Sequence, residues 1–133
     1  HGLDYGDNFL SVFVTNAFAE MKVFMKDVAV YNAHLNSPHH YITSAYLGDL
    51  LVTCYSAHSR NRRFGNYIGK GYSVAATKVE MNMVAEGYYA VKSAYKLNKE
   101  YGADTPIIDA VYEILYENKD AKAVFKELTD KLN

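Results

Sequence analysis

The stretch Phe13-Val-Thr-Asn-Ala-Phe-Ala-Glu-Met-Lys-Val-Phe-Met-Lys-Asp-Val28 decides the fold. Phe13, Ala17, Met21, Phe24 and Val28 recur every three or four residues, which aligns them as one apolar stripe on an α-helix. Asp7 or Asn8 can cap the start of that helix. Helical spacing continues outward. Leu47 to Ser56 reads as a second helix, and Ser59 can cap a third, which Gly69 to Gly71 ends. Ser73 can cap a further one. From about Ala85, the residues Ala90, Ala94, Leu97 and Tyr101 keep one face until Gly102 stops the run. Thr105-Pro106 opens a helix with Thr as cap and Pro in its first position, along which Ile108, Val111 and Leu115 face one way. Asp120 can cap the last helix, with Ala121, Val124, Leu128 and Leu132 as its stripe. Val30 to Ser44, with Asn32, Asn36, Ser37 and Pro38, reads as a loop. No segment alternates as a strand does. The expectation is an all-α fold, one domain over residues 1–133, with six or so helices.

The bulk properties bound the function. A chain of 133 residues suits one core. The formal net charge of −1 supplies no field that would draw the molecule onto nucleic acid or an anionic membrane. No apolar run reaches membrane-spanning length and no signal peptide is visible, so integral membrane association is not expected. Cys54 is the sole cysteine, which favours a reducing, cytoplasmic setting. The chain begins at His1 rather than Met, the pattern of a truncated, processed or excised chain. Thirteen tyrosines without a tryptophan fit either half-buried packing positions or an exposed face used for association.

Two adjacent blocks carry the chemistry, Leu47-Gly-Asp-Leu-Leu-Val-Thr-Cys54 and Ser59-Arg-Asn-Arg-Arg-Phe-Gly65. Asp49 and Thr53 are four residues apart and share a helix face. Leu50, Leu51 and Val52 make this read as a largely buried helix, on which the carboxylate needs a partner, so it either caps or pairs structurally, or orients a catalytic group. With Ser59 as cap, Arg60 and Asn61 fall in the first helical turn, where free N–H groups and the positive dipole end attract anions. Arginine's planar fork grips phosphate oxygens in pairs. Three arginines at a helix start oppose the dipole, so the cluster is either a solvated basic turn or a functional anion site. It is too short for a nucleic-acid surface. Cys54 has no activating base in view and reads as a packed thiol. His34, His39 and His40 form a weak metal pattern and no metal is expected. Glu86, in the break Val84-Ala-Glu-Gly87, can cap, pair or face a ligand.

The two blocks together resemble the substrate-domain signature of the bacterial-type NAD(P)-dependent glycerol-3-phosphate dehydrogenases. Gly6-Asp7-Asn8 and Ala19-Glu20-Met21 resemble that domain's first helix, Val84-Ala-Glu-Gly87 its V-x-E-G motif, and Thr105-Pro106-Ile107 the opening of a late helix. The resemblance spans nearly the whole chain in order. It implies a helical fold like the C-terminal domain of 6-phosphogluconate dehydrogenase, and the apolar surface that would meet the absent partner domain leads to the expectation of a homodimer. It implies interconversion of dihydroxyacetone phosphate and sn-glycerol 3-phosphate with NAD(P), feeding phospholipid synthesis. A Rossmann domain and a proton-handling lysine in an L-K-N segment would precede His1, so residues 1–133 alone should be inactive. Asp49 matches the aspartate near that lysine and the substrate; Thr53, Ser59, Arg60 and Asn61 match substrate-binding positions; and Arg60, Val84 and Glu86 match cofactor-binding ones. Leu10, Asn16-Ala17 and Tyr46 depart from the family pattern, which leaves fine substrate preference open. A diverged, non-catalytic association module and a dehydrogenase of another small phosphorylated or carboxylated substrate are the competing readings.

Overall fold

A computed structural model describes residues 1–31, 46–83 and 85–132, with side chains up to residue 26 in the first of these segments. Seven helices follow one another among the described residues: α1 (Asp7–Tyr31), α2 (Leu47–Tyr55), α3 (Arg60–Gly69), α4 (Val74–Met81), α5 (Glu86–Tyr101), α6 (Pro106–Tyr116) and α7 (Ala121–Lys131). The all-α expectation holds. The first helix starts at Asp7, so Asp7 lies in its first turn, where its charge suits the dipole, and neither Asp7 nor Asn8 occupies the cap position. It also runs two residues further than expected, to Tyr31, and residues 32–44 of the expected loop lie outside the described residues. The second helix stops one residue early, because Ser56 is extended (φ −69°, ψ 125°) and closes it as C-cap.

Ser59, Ser73 and Asp120 cap α3, α4 and α7 as their sequences indicate, each side-chain oxygen accepting from a backbone N–H three residues on. Thr105 does not cap α6. Its hydroxyl is fully buried and accepts instead from Asn98 Nδ2 at 2.8 Å. The capping acceptor comes from α1: Glu20 Oε2 takes the Ile107 N–H at 2.7 Å and Oε1 takes the Ile108 N–H at 2.8 Å. Glu20 is only 8% exposed, on the face of α1 that carries Phe13, Ala17 and Phe24. Asn98 completes this corner. It donates to the Ala103 carbonyl and accepts the Ala103 N–H, stapling the α5–α6 turn that Gly102 opens in the left-handed region at φ 69°. The core side of α5 is therefore marked by Asn98, while Ala90 and Leu97 of the expected stripe are exposed.

Two apolar clusters hold the helices. Phe64, Met81 and Ala85 join α3, α4 and the start of α5, with Tyr88 and Leu115 packed on them. Ala110, Val124 and Leu128 join α6 and α7, with Phe13 and Phe125 alongside. A cavity of about 470 Å³, walled by Phe9, Phe13, Phe64, Leu115 and Phe125, lies between them. The N-terminal segment crosses α3 at close range. A Cβ on Gly69 would meet Gly2 Cα at 2.9 Å, so this crossing excludes side chains. Along the α5–α6 seam run stacked tyrosines: Tyr95 on Tyr112 (3.7 Å between centroids, 5° between planes), Tyr112 on Tyr116 (5.1 Å) and Tyr116 on Tyr88 (4.7 Å). Lys78 and Lys99 lie over Tyr88 and Tyr95 at 3.7 and 4.5 Å. Most of these rings are half-buried, as the packing reading of the tyrosines expects. Burial, and then its neighbour Tyr88, pushes the Tyr116 phenol up to about 12.

The α1–α6 clamp predicts a stability effect. Glu20→Ala leaves two N–H groups without acceptors and costs about 1–3 kcal/mol of unfolding free energy, measured by denaturant titration. Burial above all, with Asp109 and Asp104 adding to it, holds the Glu20 carboxyl above its ordinary value of 4.5 despite the two N–H donors. A raised folded-state value means a contribution that is full below pH 4.5 and is lost as pH rises through the folded value. Unfolding free energy should therefore fall as pH rises through that window. In Glu20→Gln that component disappears, leaving one of the same sign from Asp109, which burial also raises.

Candidate active site

The site is assembled by the α2–α3 corner and the start of α5. Ser59 (φ −63°, ψ 120°) turns the chain into α3, and its Oγ accepts the Arg62 N–H at 3.2 Å. The turn is braced from behind. Ser56 accepts from Ser59 N at its carbonyl and from His58 N at its hydroxyl. Arg62 Nη1 donates to the Tyr55 carbonyl at 3.1 Å, satisfying an end carbonyl of α2 and placing a cation at that helix's negative end. Of the three arginines, one is thus structural. Arg60 and Arg63 are exposed, with no hydrogen bond or ion pair to the described residues. The backbone N–H groups of Arg60 and Asn61 have no partner within the helix.

Helix α5 begins without a local side-chain cap, since Ala85 occupies that position. Asn61 supplies the acceptor from α3, its Oδ1 taking the Gly87 N–H at 2.9 Å. An N–H can only donate, so the amide oxygen must face Gly87 and the NH₂ group must face away. This bond brings the N-termini of α3 and α5 together. Their dipoles add where they meet, and Arg60, next to Asn61, is the first residue of α3 and exposed. Both the basic turn and the 85–87 segment thus border one small anion-attracting region.

The structure groups the expected residues unevenly. Ser59, Arg60 and Asn61 share the first turn of α3, and Glu86 stands exposed in the first turn of α5 beside Gly87. Thr53 and Asn61 both line the 470 Å³ cavity, which Asp49, Ser59, Arg60 and Glu86 do not. Val84 lies outside the described residues, as do His34, His39 and His40. The expectation that Asp49 sits on a buried helix is corrected. α2 has no buried residue, Asp49 is exposed, and no described side chain pairs with it. Among the described residues little packs on the apolar side chains of α2: Val52 is 67% exposed and Leu51 39%. Sequence reasoning missed Gly87 as a partner of Asn61 and Arg62 as the tie to Tyr55. The missing capping residue before Glu86 is the signal that could have pointed to Asn61.

A chain with this fold has known relatives. It superposes on the crystal structure of glycerol-3-phosphate dehydrogenase from Coxiella burnetii with a TM-score of 0.86 and 28% identity, covering 97% of this chain and 38% of that one. The fold is that of the helical part of a dehydrogenase. The chain belongs to the family described as the NAD-dependent glycerol-3-phosphate dehydrogenase C-terminus, whose model matches residues 1–126. It is 40% identical over 127 residues to the glycerol-3-phosphate dehydrogenase, NAD(P)+, of Chlorobium phaeobacteroides (strain BS1), and 38% identical over 130 residues to that of Staphylococcus aureus (strain JH9). These alignments cover 96% and 98% of this chain but 36% and 37% of those proteins, so the chain spans little more than a third of their length. No helix among the described residues is long and apolar enough to cross a membrane.

Cys54 gives a check on the local environment. It is half-buried, and burial raises its thiol above its ordinary value of 9.0, with Arg62 only partly offsetting this. A raised value means less thiolate near neutral pH. Cys54 should react with a thiol-exchange reagent more slowly than a free thiol at pH 7–8, and denaturant should restore the free-thiol rate.

Proposed function

We propose that residues 1–133 form one helical domain holding the substrate of an oxidoreductase that interconverts dihydroxyacetone phosphate and sn-glycerol 3-phosphate with NAD(P)(H). Family membership supports the reaction. The observation that carries the site is the meeting of the α3 and α5 N-termini through Asn61 and Gly87, a natural cradle for a phosphate dianion, with Arg60 next in sequence to Asn61 and exposed. Ser59 shapes the cradle, the Asn61 NH₂ group and the Arg60 guanidinium grip the phosphate, and Thr53 on the neighbouring wall contributes a hydroxyl. Phosphate binding energy then fixes the carbonyl end for reaction. Asp49, exposed and unpaired among the described residues, is available to orient the proton-handling lysine that the family carries in its L-K-N segment.

The donor set fits the edge of a nicotinamide cofactor in part. Arg60 offers an anion contact, the exposed Glu86 carboxylate accepts from hydroxyl or amide donors, and Val84 joins them in this reading. The cofactor, when bound, supplies or accepts the hydride. The product feeds glycerophospholipid synthesis in the cytoplasm, a compartment with which the single free Cys54 is consistent.

Full-length protein carrying this chain should reduce dihydroxyacetone phosphate with a reduced nicotinamide cofactor, followed by absorbance. Arg60→Ala should raise KM for dihydroxyacetone phosphate about ten- to hundredfold, the scale of a charged hydrogen bond. Melting temperature should not change, because Arg60 is exposed and makes no hydrogen bond or ion pair to a described residue. An unchanged KM removes Arg60 from the phosphate site, and absence of turnover favours the association module. The protein is also proposed to be a homodimer. The exposed apolar side chains Leu51, Val52 and Tyr55 of α2 support a covered face there. Sedimentation should show a dimer that Val52→Glu weakens; a monomer at all concentrations contradicts it.

A further inference from the structure

The first turn of α5 contains a glycine whose backbone does not require one. Gly87 sits inside a helix and has no positive φ, so conformational freedom does not explain it. Space does. A Cβ built on Gly87 would stand 2.9 Å from Asn61 Oδ1 and 3.2 Å from Asn61 Cγ, far inside ordinary contact. The same residue donates its N–H to that oxygen. Gly87 therefore both admits the Asn61 amide and orients it.

We infer that Gly87 is a positioning residue for substrate phosphate: its N–H and its missing Cβ hold the Asn61 amide with the NH₂ donors toward the anion. This rests on the phosphate site proposed above. Asn61 is exposed, and its Nδ2 makes no hydrogen bond to the described residues, so both donors are free for a ligand. The orientation has only one solution, because a flipped amide would set N–H against N–H. Asn61 also acts on α5. Its oxygen takes an otherwise unpartnered N–H in the first turn, so a ligand drawing on the NH₂ side polarises the bond to α5 and links occupancy of the α3 start to order at the α5 start.

The geometry separates this role from a structural one. The atoms a new Cβ would strike belong to the end of an exposed, movable side chain, so Gly87→Ala displaces Asn61 without breaking the fold. The Gly87 N–H that loses its acceptor is exposed, so water replaces the Asn61 oxygen there, and alanine, the better helix former, offsets what remains of the lost cap. The variant should thus fold as well as the parent, or better, while losing substrate affinity. That is the reverse of what a merely structural glycine gives.

The test combines kinetics on the full-length protein with a phosphate titration followed by the ¹⁵N signals of the Asn61 side chain. Gly87→Ala should raise KM for dihydroxyacetone phosphate about tenfold, the scale of one hydrogen bond to a charged group. Its kcat should stay within about twofold, because no reacting group is moved, and its melting temperature should not fall. In an Asn61→Ala background the Gly87→Ala change should have no further effect on KM, since it acts through the missing side chain. Asn61→Asp keeps the acceptor for Gly87 but replaces the donors with a carboxylate, so it should keep the melting temperature and lose more affinity than Gly87→Ala. In the titration, inorganic phosphate should shift the Asn61 NH₂ signals in the parent and at higher concentration in Gly87→Ala. An unchanged KM in Gly87→Ala, or the same KM increase with and without Asn61, overturns the inference. Phosphate shifts at Asn61 without any turnover preserve the positioning role and overturn the proposed reaction alone; turnover without those shifts does the opposite.

Discussion

The first turn of α6 has no acceptor of its own, and the fold depends on Glu20 providing one from α1. The two amides it binds belong to Ile107 and Ile108, beside the cluster formed by Ala110, Val124 and Leu128. Burying those amides unpaired would oppose the packing that forms the cluster. Burying the carboxylate is itself unfavourable, which its raised proton affinity records. The two unfavourable groups satisfy each other only in one relative placement of α1 and α6. Apolar contact is tolerant of small slips, whereas a two-oxygen, two-amide contact is not. Asn61 repeats the device between α3 and α5. In both cases a helix start without its own cap is completed by a side chain far away in sequence, so helix formation and tertiary docking become one event.

This explains which parts of the fold were legible. Ser59, Ser73 and Asp120 act within three residues of themselves, and local spacing suffices to find them. The stripe of α7 was legible for the same reason, since Val124 and Leu128 are both buried at helical spacing. Thr105 looked like the same kind of cap and is not, because Asn98 claims its hydroxyl and Glu20 replaces it. Nothing within ten residues of Thr105 announces Glu20. The available sign was a carboxylate between Ala17 and Phe24 on the apolar side of α1, a position that requires a buried partner. The α5 stripe went astray for a related reason: its most buried residue is the polar Asn98, which an apolar pattern cannot register.

The candidate site was legible unevenly too. The residues of the α3 start fell where their order in sequence placed them, since a cap and a first turn are local facts. Asp49 did not. Its helix reads as a core helix by composition, yet the described residues leave it open, because burial depends on what packs against a face and not on the face alone. The exposed first turns of α3 and α5 leave polar groups of two elements accessible at once, beside an α2 whose open side is largely apolar. The Asn61–Gly87 bond joins two of those elements directly, and the Arg62–Tyr55 bond joins α3 to α2.

The tyrosine stack has an optical consequence. Without tryptophan, tyrosine dominates the chain's near-ultraviolet absorption and emission, the phenylalanine rings absorbing far more weakly. Tyr95, Tyr112, Tyr116 and Tyr88 form a line of rings close enough for excitation to pass between them before it is emitted. Emission from that line is depolarised even where the rings themselves are held still, and coupling between near-parallel rings adds circular dichroism bands that are not helical in origin. The α5–α6 seam therefore reports its own integrity without a label: separating the two helices should raise tyrosine anisotropy at the moment it unstacks the rings.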